Sequence, residues 1–348
     1  MAGKSILSPS IASRLVVIAF LAMAGLAGIG LAWSVLLDYA RNPIDPRCGE
    51  CSVTVEIAKG TNFGTALSLL REKGVIGNEF LFSVLARLRK APQHIRAGEY
   101  EISLLNSPDD LLRKLVRGEI KGYRIPFPEG FTVRQVAERL SAWNLVDYKT
   151  FLARARDPGL LDSLKIKGDS VEGYLYPETY IFTRSMGEEE IIRFMVRQFR
   201  KRQRPDWEAL AGRHGMTLEE IVILASIIEK EAALSEEKPI ISAVFHNRLK
   251  KRMLLQSDPT VIYDIPDFDG NLKKSHLSKN MPHNTYVHKG LPPGPICNPG
   301  VDSIDAALRP AAVPYLFFVA RNDGSHHFST TLSHHREAVL KYQIRKEK

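Results

Sequence analysis

From Leu15 through Leu37 the chain carries no charged side chain. A run of that kind is expected to be helical, because only a helix satisfies its own backbone groups where no water is present. At about 1.5 Å per residue it spans the ~30 Å hydrocarbon core of a bilayer. Lys4 and Arg14 precede the run, Asp38 follows it, and Trp33 stands near the far edge, where an amphipathic ring favours the interface. The basic side is expected to stay in the cytoplasm, so residues 1–14 read as a cytoplasmic N-terminus and 15–37 as a transmembrane helix. The alternative is a cleaved signal peptide, since Ala22, Met23 and Ala24 imitate a small-residue cleavage site. The apolar run continues well beyond them and exceeds an ordinary signal core. The expected location is therefore the inner (cytoplasmic) membrane, crossed once, with the remaining chain on the extracytoplasmic side.

Residues 38–52 hold two prolines, several charges and no apolar period, the pattern of a linker. Two of the three cysteines, Cys48 and Cys51, fall in it. They either close a small loop or have no role, and the second choice is favoured because so short a loop removes little chain entropy. Cys297 supplies no second ligand pair, so zinc is not expected.

The whole chain of 348 residues suits an anchor plus roughly two domains, at ~100 to 200 residues each. With 44% hydrophobic and 25% charged residues it should fold rather than stay disordered. Its net charge of +9 is spread among 39 acids, with no basic stripe, so nucleic acid is not an expected partner. Val53 to Ile57 alternates like a strand, and Ala66, Leu67, Leu69 and Leu70 begin an amphipathic helix. Phe80 to Leu88 suggests a second helix, Gly98 to Leu104 a strand, and Pro108 to Val116 a third helix ending at Gly118. Tyr123 to Phe127, Pro128 to Thr132 and Val133 to Leu140 then repeat the strand, turn and helix order. The fold class is α+β, with a small module over 53–121 and a larger mixed α/β domain over 122–348.

The most informative segment runs from Met216 to Glu231. Thr217 and Glu220 form a capping-box pattern, and Ile221 to Ile228 is apolar all round except at Ser226, which marks a buried helix. Glu229 shares a face with Val222, Ala225 and Ser226. Small neighbours would leave room for a ligand, and apolar ones would help a carboxyl keep its proton near neutral pH. The alternative is that Glu229 and Glu231 are a solvated last turn. Downstream, LQSDPTVIY over Leu255 to Tyr263 sets amide, hydroxyl, carboxylate and proline among apolar residues.

At these two segments the sequence resembles the endolytic murein transglycosylase family (MltG, YceG-like). Ile223 to Glu231 is similar to the family's active-site helix and Leu255 to Tyr263 to its most distinctive loop. Val171 to Tyr180, Asn284 to Tyr286, Gly290 to Gly294, Asn298 to Gly300, Tyr315 to Val319 and Gly324 to Phe328 follow in family order. Residues 53–121 resemble a LysM-like module, carried by element lengths alone; a plain structural subdomain is the alternative. His283 and Cys297 depart from the family's usual residues.

The resemblance implies a lytic transglycosylase, a lyase that cuts the β-1,4 bond between N-acetylmuramic acid and N-acetylglucosamine without water and leaves a 1,6-anhydro end. One acid protonates the leaving oxygen and the sugar's own C6 hydroxyl attacks C1, so the second carboxylate of ordinary glycosidases is not required. Glu229 is the expected acid and base. Gln256, Asp258, Glu172, Tyr174, Asn284, Tyr286 and His326 are expected to bind substrate, with Tyr176 beside them, while Glu231 and Ser226 are expected to support Glu229. No cofactor and no metal are implied, although His326, His327, His334 and His335 lie close in sequence. Expected partners are peptidoglycan glycan strands, the inner-membrane bilayer and peptidoglycan synthases, with termination of nascent strands as the expected role. Two rivals remain: a non-catalytic peptidoglycan-binding scaffold, and a hydrolase pairing Glu229 with Asp258.

Overall fold

The computed structural model describes residues 9–344; Lys4 and the start of the expected cytoplasmic segment lie outside the described residues. Helix α1, Pro9–Arg41, contains the apolar run. Among the described residues it is the one helix long and apolar enough to cross a membrane, with a mean hydropathy of 2.5 over its best window and that window entirely unburied. It continues past Leu37, and Leu36 and Ala40 are buried in the core of the first folded unit. The segment expected to be a loose linker is therefore docked at its start: Ile44 and Asp45 donate backbone hydrogen bonds to Asn106 and Leu104. Cys48 and Cys51 are disulfide-bonded, against the expectation that they have no role.

The chain divides into two compact units, up to Gly122 and from Tyr123 onward. In the first, strand β1, Ser52–Ile57, pairs antiparallel with β2, Gly98–Ser103, and helices α2, Phe63–Glu72, and α3, Glu79–Leu88, lie between them in sequence. Helix α4, Pro108–Arg117, follows. Alternation puts Val55, Ile57, Tyr100 and Ile102 on one face, where they pack with Leu70, Phe82, Leu111 and Leu115. Asn62, Asn78 and Ser107 cap the three helices through side-chain oxygens, and Gly118 ends α4 in the left-handed conformation that a side chain would strain.

The second unit mixes helices with two antiparallel two-stranded ribbons and is mostly helical. Strands β3, Tyr123–Pro126, and β4, Thr179–Phe182, form the first ribbon. Helices α5, Val133–Ala142, α6, Tyr148–Arg154, α7, Pro158–Ser163, and α8, Glu188–Arg202, are built with it around a core that includes Ile125, Leu140, Phe151, Phe182 and Met195. A separate core gathers α9, Trp207–Arg213, α10, Leu218–Glu231, α11, Lys238–Lys250, and α14, Val301–Leu308, around Trp207, Leu224, Ile228, Phe245 and Ile304. Between the last two come the short helices α12, Asp258–Tyr263, and α13, Lys274–Leu277. Strands β5, Phe317–Ala320, and β6, His326–Ser329, make the second ribbon, beside α15, Leu332–Val339.

Candidate active site

The capping pattern starts α10 where the sequence predicts: Thr217 accepts from the Glu220 amide at 3.2 Å and Glu220 returns the bond to the Thr217 amide at 2.7 Å. The helix is enclosed along its length and ends at Glu231, before the extended residue Ala232. Successive residues turn by about 100°, so Glu229 and Glu231 leave the last turn on nearly opposite sides. They meet different surroundings.

Glu229 is only 8% exposed in its side chain. Its Oε2 accepts from the Ser303 hydroxyl at 2.6 Å and the Gly300 amide at 3.0 Å, and both oxygens lie 3.3 Å from Lys238 Nζ. The N-terminus of α14 therefore points at it, an end that favours negative charge. Glu129 approaches from the loop before α5 and sits 3.6 Å from the same Lys238 ammonium. Burial first, and then the Glu229 charge, hold the Glu129 carboxyl above the usual carboxylate range. A Cβ at Gly300 would come within 1.9 Å of Glu129 Oε1, so any side chain there would displace the Glu129 carboxylate.

The small residues on the Glu229 face leave room for protein, not for a ligand. Ser226 Oγ donates to the Ile223 carbonyl at 2.7 Å and accepts from the Ile296 amide at 3.0 Å, and Cys297 donates to the Ser226 carbonyl. At Gly173, in the left-handed region (φ +88°), a Cβ would come within 2.5 Å of Pro295 and 3.0 Å of Val222, so no side chain fits there. Ser226 thus ties a loop to α10, and it makes no contact with Glu229 of the kind expected.

Glu231 faces a cavity of about 440 Å³ with Arg248, Gln256, Asp258, Tyr286 and His326. Its Oε1 accepts from the Ser257 hydroxyl at 2.5 Å. Burial pushes its carboxyl up to about 7, outweighing the Ser257 bond, with the Asp258 charge adding to the rise and Arg248 opposing it. Asp258 accepts from the Tyr286 phenol at 2.6 Å. Gln256 is held in the left-handed region (φ 50°), and its amide donates to the Thr285 carbonyl at 3.1 Å, so the loop is clamped while its side chain lines the cavity. Arg248 braces another wall, donating to the carbonyls of Leu316 at 2.6 Å and Leu255 at 2.7 Å.

His326 enters from β6. Its backbone amide donates to Glu237 Oε1 at 2.9 Å, and its Nδ1 lies 2.6 Å from Glu237 Oε2. His335 also lines the cavity; its ring stacks on Phe317 at 5.2 Å, and its buried Nδ1 finds no partner. Among the described residues, no group of three His, Cys, Asp or Glu side chains could hold a metal ion.

The structure brings Gln256, Asp258, Tyr286 and His326 together around Glu231, and it separates three other residues from them. Glu172 is buried beneath a different cavity, where it accepts from the Val133 amide at 3.0 Å, the Tyr263 phenol at 3.0 Å and Asn298 Nδ2 at 3.2 Å. Burial raises it to about 7, against the Val133 and Tyr263 bonds and the charges of Arg134 and Arg156. Tyr174 borders that same cavity, edge-on to Phe199 at 5.3 Å. Asn284 is fully buried, donating to the carbonyls of Leu277 and Lys279 at 3.0 and 2.7 Å and accepting from the Tyr286 amide at 2.9 Å. An amide committed at both ends to backbone shapes a loop, so the expected sugar contact from Asn284 is corrected to a loop-fixing one. Tyr176 lies under the Arg202 guanidinium, which sits 5.4 Å from its ring centroid. Arg248, Glu237, Lys238 and Glu129 were missed by sequence reasoning. The polar stretch from Ser235 to Lys238 looks like an ordinary surface turn, and nothing in it announces two buried charges.

Residues 55–341 match the YceG-like family. The chain belongs to that family. It is 30% identical over 322 residues to an endolytic murein transglycosylase of Bacillus subtilis, covering 87% of this chain and 89% of the relative. An endolytic murein transglycosylase of Streptococcus pneumoniae is 29% identical over 363 residues, and there the match spans 64% of the longer relative. A crystal structure of a YceG-like protein from Listeria monocytogenes superposes with a TM-score of 0.58 at 32% identity, covering 83% of this chain and all of that one.

Proposed function

We propose that this YceG-like protein is a peptidoglycan lytic transglycosylase in which Glu231, rather than Glu229, is the acid that gives the proton. The observation that carries the proposal is a carboxyl facing a cavity, raised to about 7 by burial and backed by one hydroxyl donor. A group of that kind holds its proton at neutral pH and can deliver it to a glycosidic oxygen. Glu229 has the opposite environment, an ammonium, a hydroxyl and a helix N-terminus that all favour a fixed anion.

The bond cut is the β-1,4 link from N-acetylmuramic acid to N-acetylglucosamine. Glu231 protonates the leaving oxygen, C1 gains oxocarbenium character, and the C6 hydroxyl closes on C1 to give the 1,6-anhydro end. Gln256, Asp258 and Tyr286 orient the sugar. Helix α1 anchors the enzyme in the inner membrane by a single pass with its N-terminus in the cytoplasm, and residues 53–121 serve as a LysM-like glycan-holding module; the strand, helix, helix, strand order and the antiparallel pair β1–β2 support that part. An anchored cutter of this kind would terminate nascent strands beside the synthases that make them.

The test uses the full-length protein in detergent with uncrosslinked glycan strands, and mass spectrometry of the ends. Anhydro ends are lighter than hydrolysed ends by one water. Wild type should yield anhydro ends, and Glu231→Gln should yield none. Retained anhydro-end formation in Glu231→Gln would overturn the assignment; hydrolysed ends from wild type would replace the lyase with a hydrolase pairing Glu231 and Asp258.

A further inference from the structure

The cavity contains a second group equipped to carry a proton. His326 is only 10% exposed in its side chain, yet two of its three nitrogens, the backbone N–H and Nδ1, are bound to the one Glu237 carboxylate, which is itself 11% exposed. A carboxylate accepting from Nδ1–H fixes the tautomer and leaves the lone pair on Nε2. Among the described residues Nε2 has no hydrogen-bond partner, and the ring lines the same cavity as Glu231. Phe318 stands edge-on to the imidazole at 5.3 Å and limits its rotation. Two buried ionisable groups joined by a two-point contact are an expensive way to anchor a ribbon, since each must leave water. As a way to present one basic nitrogen at a fixed position it is economical of geometry, and it parallels the orienting role of the acid in hydrolytic triads.

We propose that His326, oriented by Glu237, is the base that removes the C6 hydroxyl proton, so that the acid and base roles fall on two residues. The proposal rests on Glu231 being the acid. In the step, the Glu231 proton passes to the glycosidic oxygen as the C1–O bond breaks. The C6 oxygen forms the new bond to C1, and its proton passes to His326 Nε2. The enzyme is left with an ionised Glu231 and an imidazolium, and one proton released from His326 to solvent and one taken up by Glu231 restore it. Glu237 is a positioning residue, and its charge stabilises the imidazolium formed in the step.

The ionisable groups facing His326 are Glu231 from α10, Glu237 from the turn before α11, Arg248 from α11, Asp258 from α12, Tyr286 from its loop and His335 from α15. Two groups acting in concert give a bell-shaped dependence of turnover on pH. The alkaline limb comes from Glu231, which must be protonated, and the acid limb from His326, which must be neutral.

The experiment measures anhydro-end formation from pH 4 to 9 for wild type, His326→Gln, Glu237→Gln and Glu231→Gln, with thermal melting to compare folding. His326→Gln should lose about 10²-fold or more in turnover, with KM little changed, and should lose the acid limb while keeping the alkaline one. Glu237→Gln should move the acid limb to lower pH, because removing the carboxylate makes the imidazolium less stable. A structural role would lower the amount of active protein and leave both limbs where they were. Unchanged turnover and an unmoved acid limb in both variants, with Glu231→Gln inactive, would overturn this proposal alone. Activity in Glu231→Gln would overturn the parent reading instead. Should His326→Gln fail to fold, the limb position in Glu237→Gln decides.

Discussion

The two carboxylates in the last turn of α10 are separated by a single residue, and the protein places them in different surroundings. Glu229 is met by Lys238, Ser303 and the Gly300 amide, donors that tie α10 to α11 and α14. Glu231 receives one hydroxyl, has Asp258 as a negative neighbour, and opens onto a cavity. Fully satisfied charge serves architecture; incompletely satisfied charge beside space for a ligand serves proton transfer. Helix periodicity makes that division possible, because a two-residue step carries a side chain to the far side of the helix.

The largest expected effect tests that division directly. Glu231→Gln keeps the shape and removes the proton, and should lower anhydro-end formation about 10³-fold, while its melting temperature stays close to wild type. Glu229→Gln should stay within about tenfold of wild type, a loss small on the scale of removing an acid catalyst. The reverse ranking would break the comparison.

Stability should rank the same two residues the other way. Glu229→Ala leaves the Lys238 ammonium, 6% exposed, with only the more distant Glu129 beside it. Removing one partner of a buried pair costs about 3 to 5 kcal/mol, and the remaining Glu129 contact argues for about 3. Urea denaturation checks this. Adding Lys238→Met should restore much of the loss, since no stranded ammonium remains; a double variant less stable than the single would show that the ion pair is not the reason for Glu229.

Much of the fold was legible because its signals are local. The capping boxes at Thr217 and Ser107, the turn at Gly118, the alternation in Val53 to Ile57 and the uncharged run before Asp38 each depend on neighbours a few residues apart. The site was legible as a set of segments and not as a set of contacts. Gln256, Asp258, Tyr286 and His326 were expected near one another and share a cavity. The proposed preference for Glu231 over Glu229 rests on Lys238 and Gly300, which reach Glu229 from the start of α11 and from the residue before α14. Asn284 and Glu172 are polar residues within distinctive motifs, and their partners are backbone groups that no sequence pattern identifies. The boundary fared worst: Leu36 reads as the end of the membrane run and Ala40 as linker, and both contribute to the core of the first unit.

Glu172 extends the comparison to a third buried carboxyl, raised to about 7 by burial but without a place beside Gln256. Its folded value lies above its ordinary 4.5, so the protonated form is the one the fold tolerates. The stability it contributes is present below about pH 4.5 and is lost as pH rises toward 7. From 4.5 to about 7, at about 1.4 kcal/mol per unit, the full swing is about 3.5 kcal/mol at most. Glu172→Gln should flatten the fall in stability between pH 5 and 8 without moving the activity profile. A shift in the activity profile instead would make Glu172 part of the catalytic cavity after all.

The smallest effect is the sharpest test of why Glu231 is raised. Burial is the main cause and the Asp258 charge a lesser one. Asp258→Asn keeps an acceptor for the Tyr286 phenol while removing the charge, so Glu231 should ionise at lower pH and the alkaline limb of activity should move down by less than about one unit. Activity at pH 5.5 should change little beyond any loss in sugar orientation. Because burial is untouched, the limb must not fall to the range of a free carboxyl near 4.3. If it did, Asp258 rather than burial would be what keeps the proton on Glu231, and the two carboxylates would have to be treated as one coupled pair.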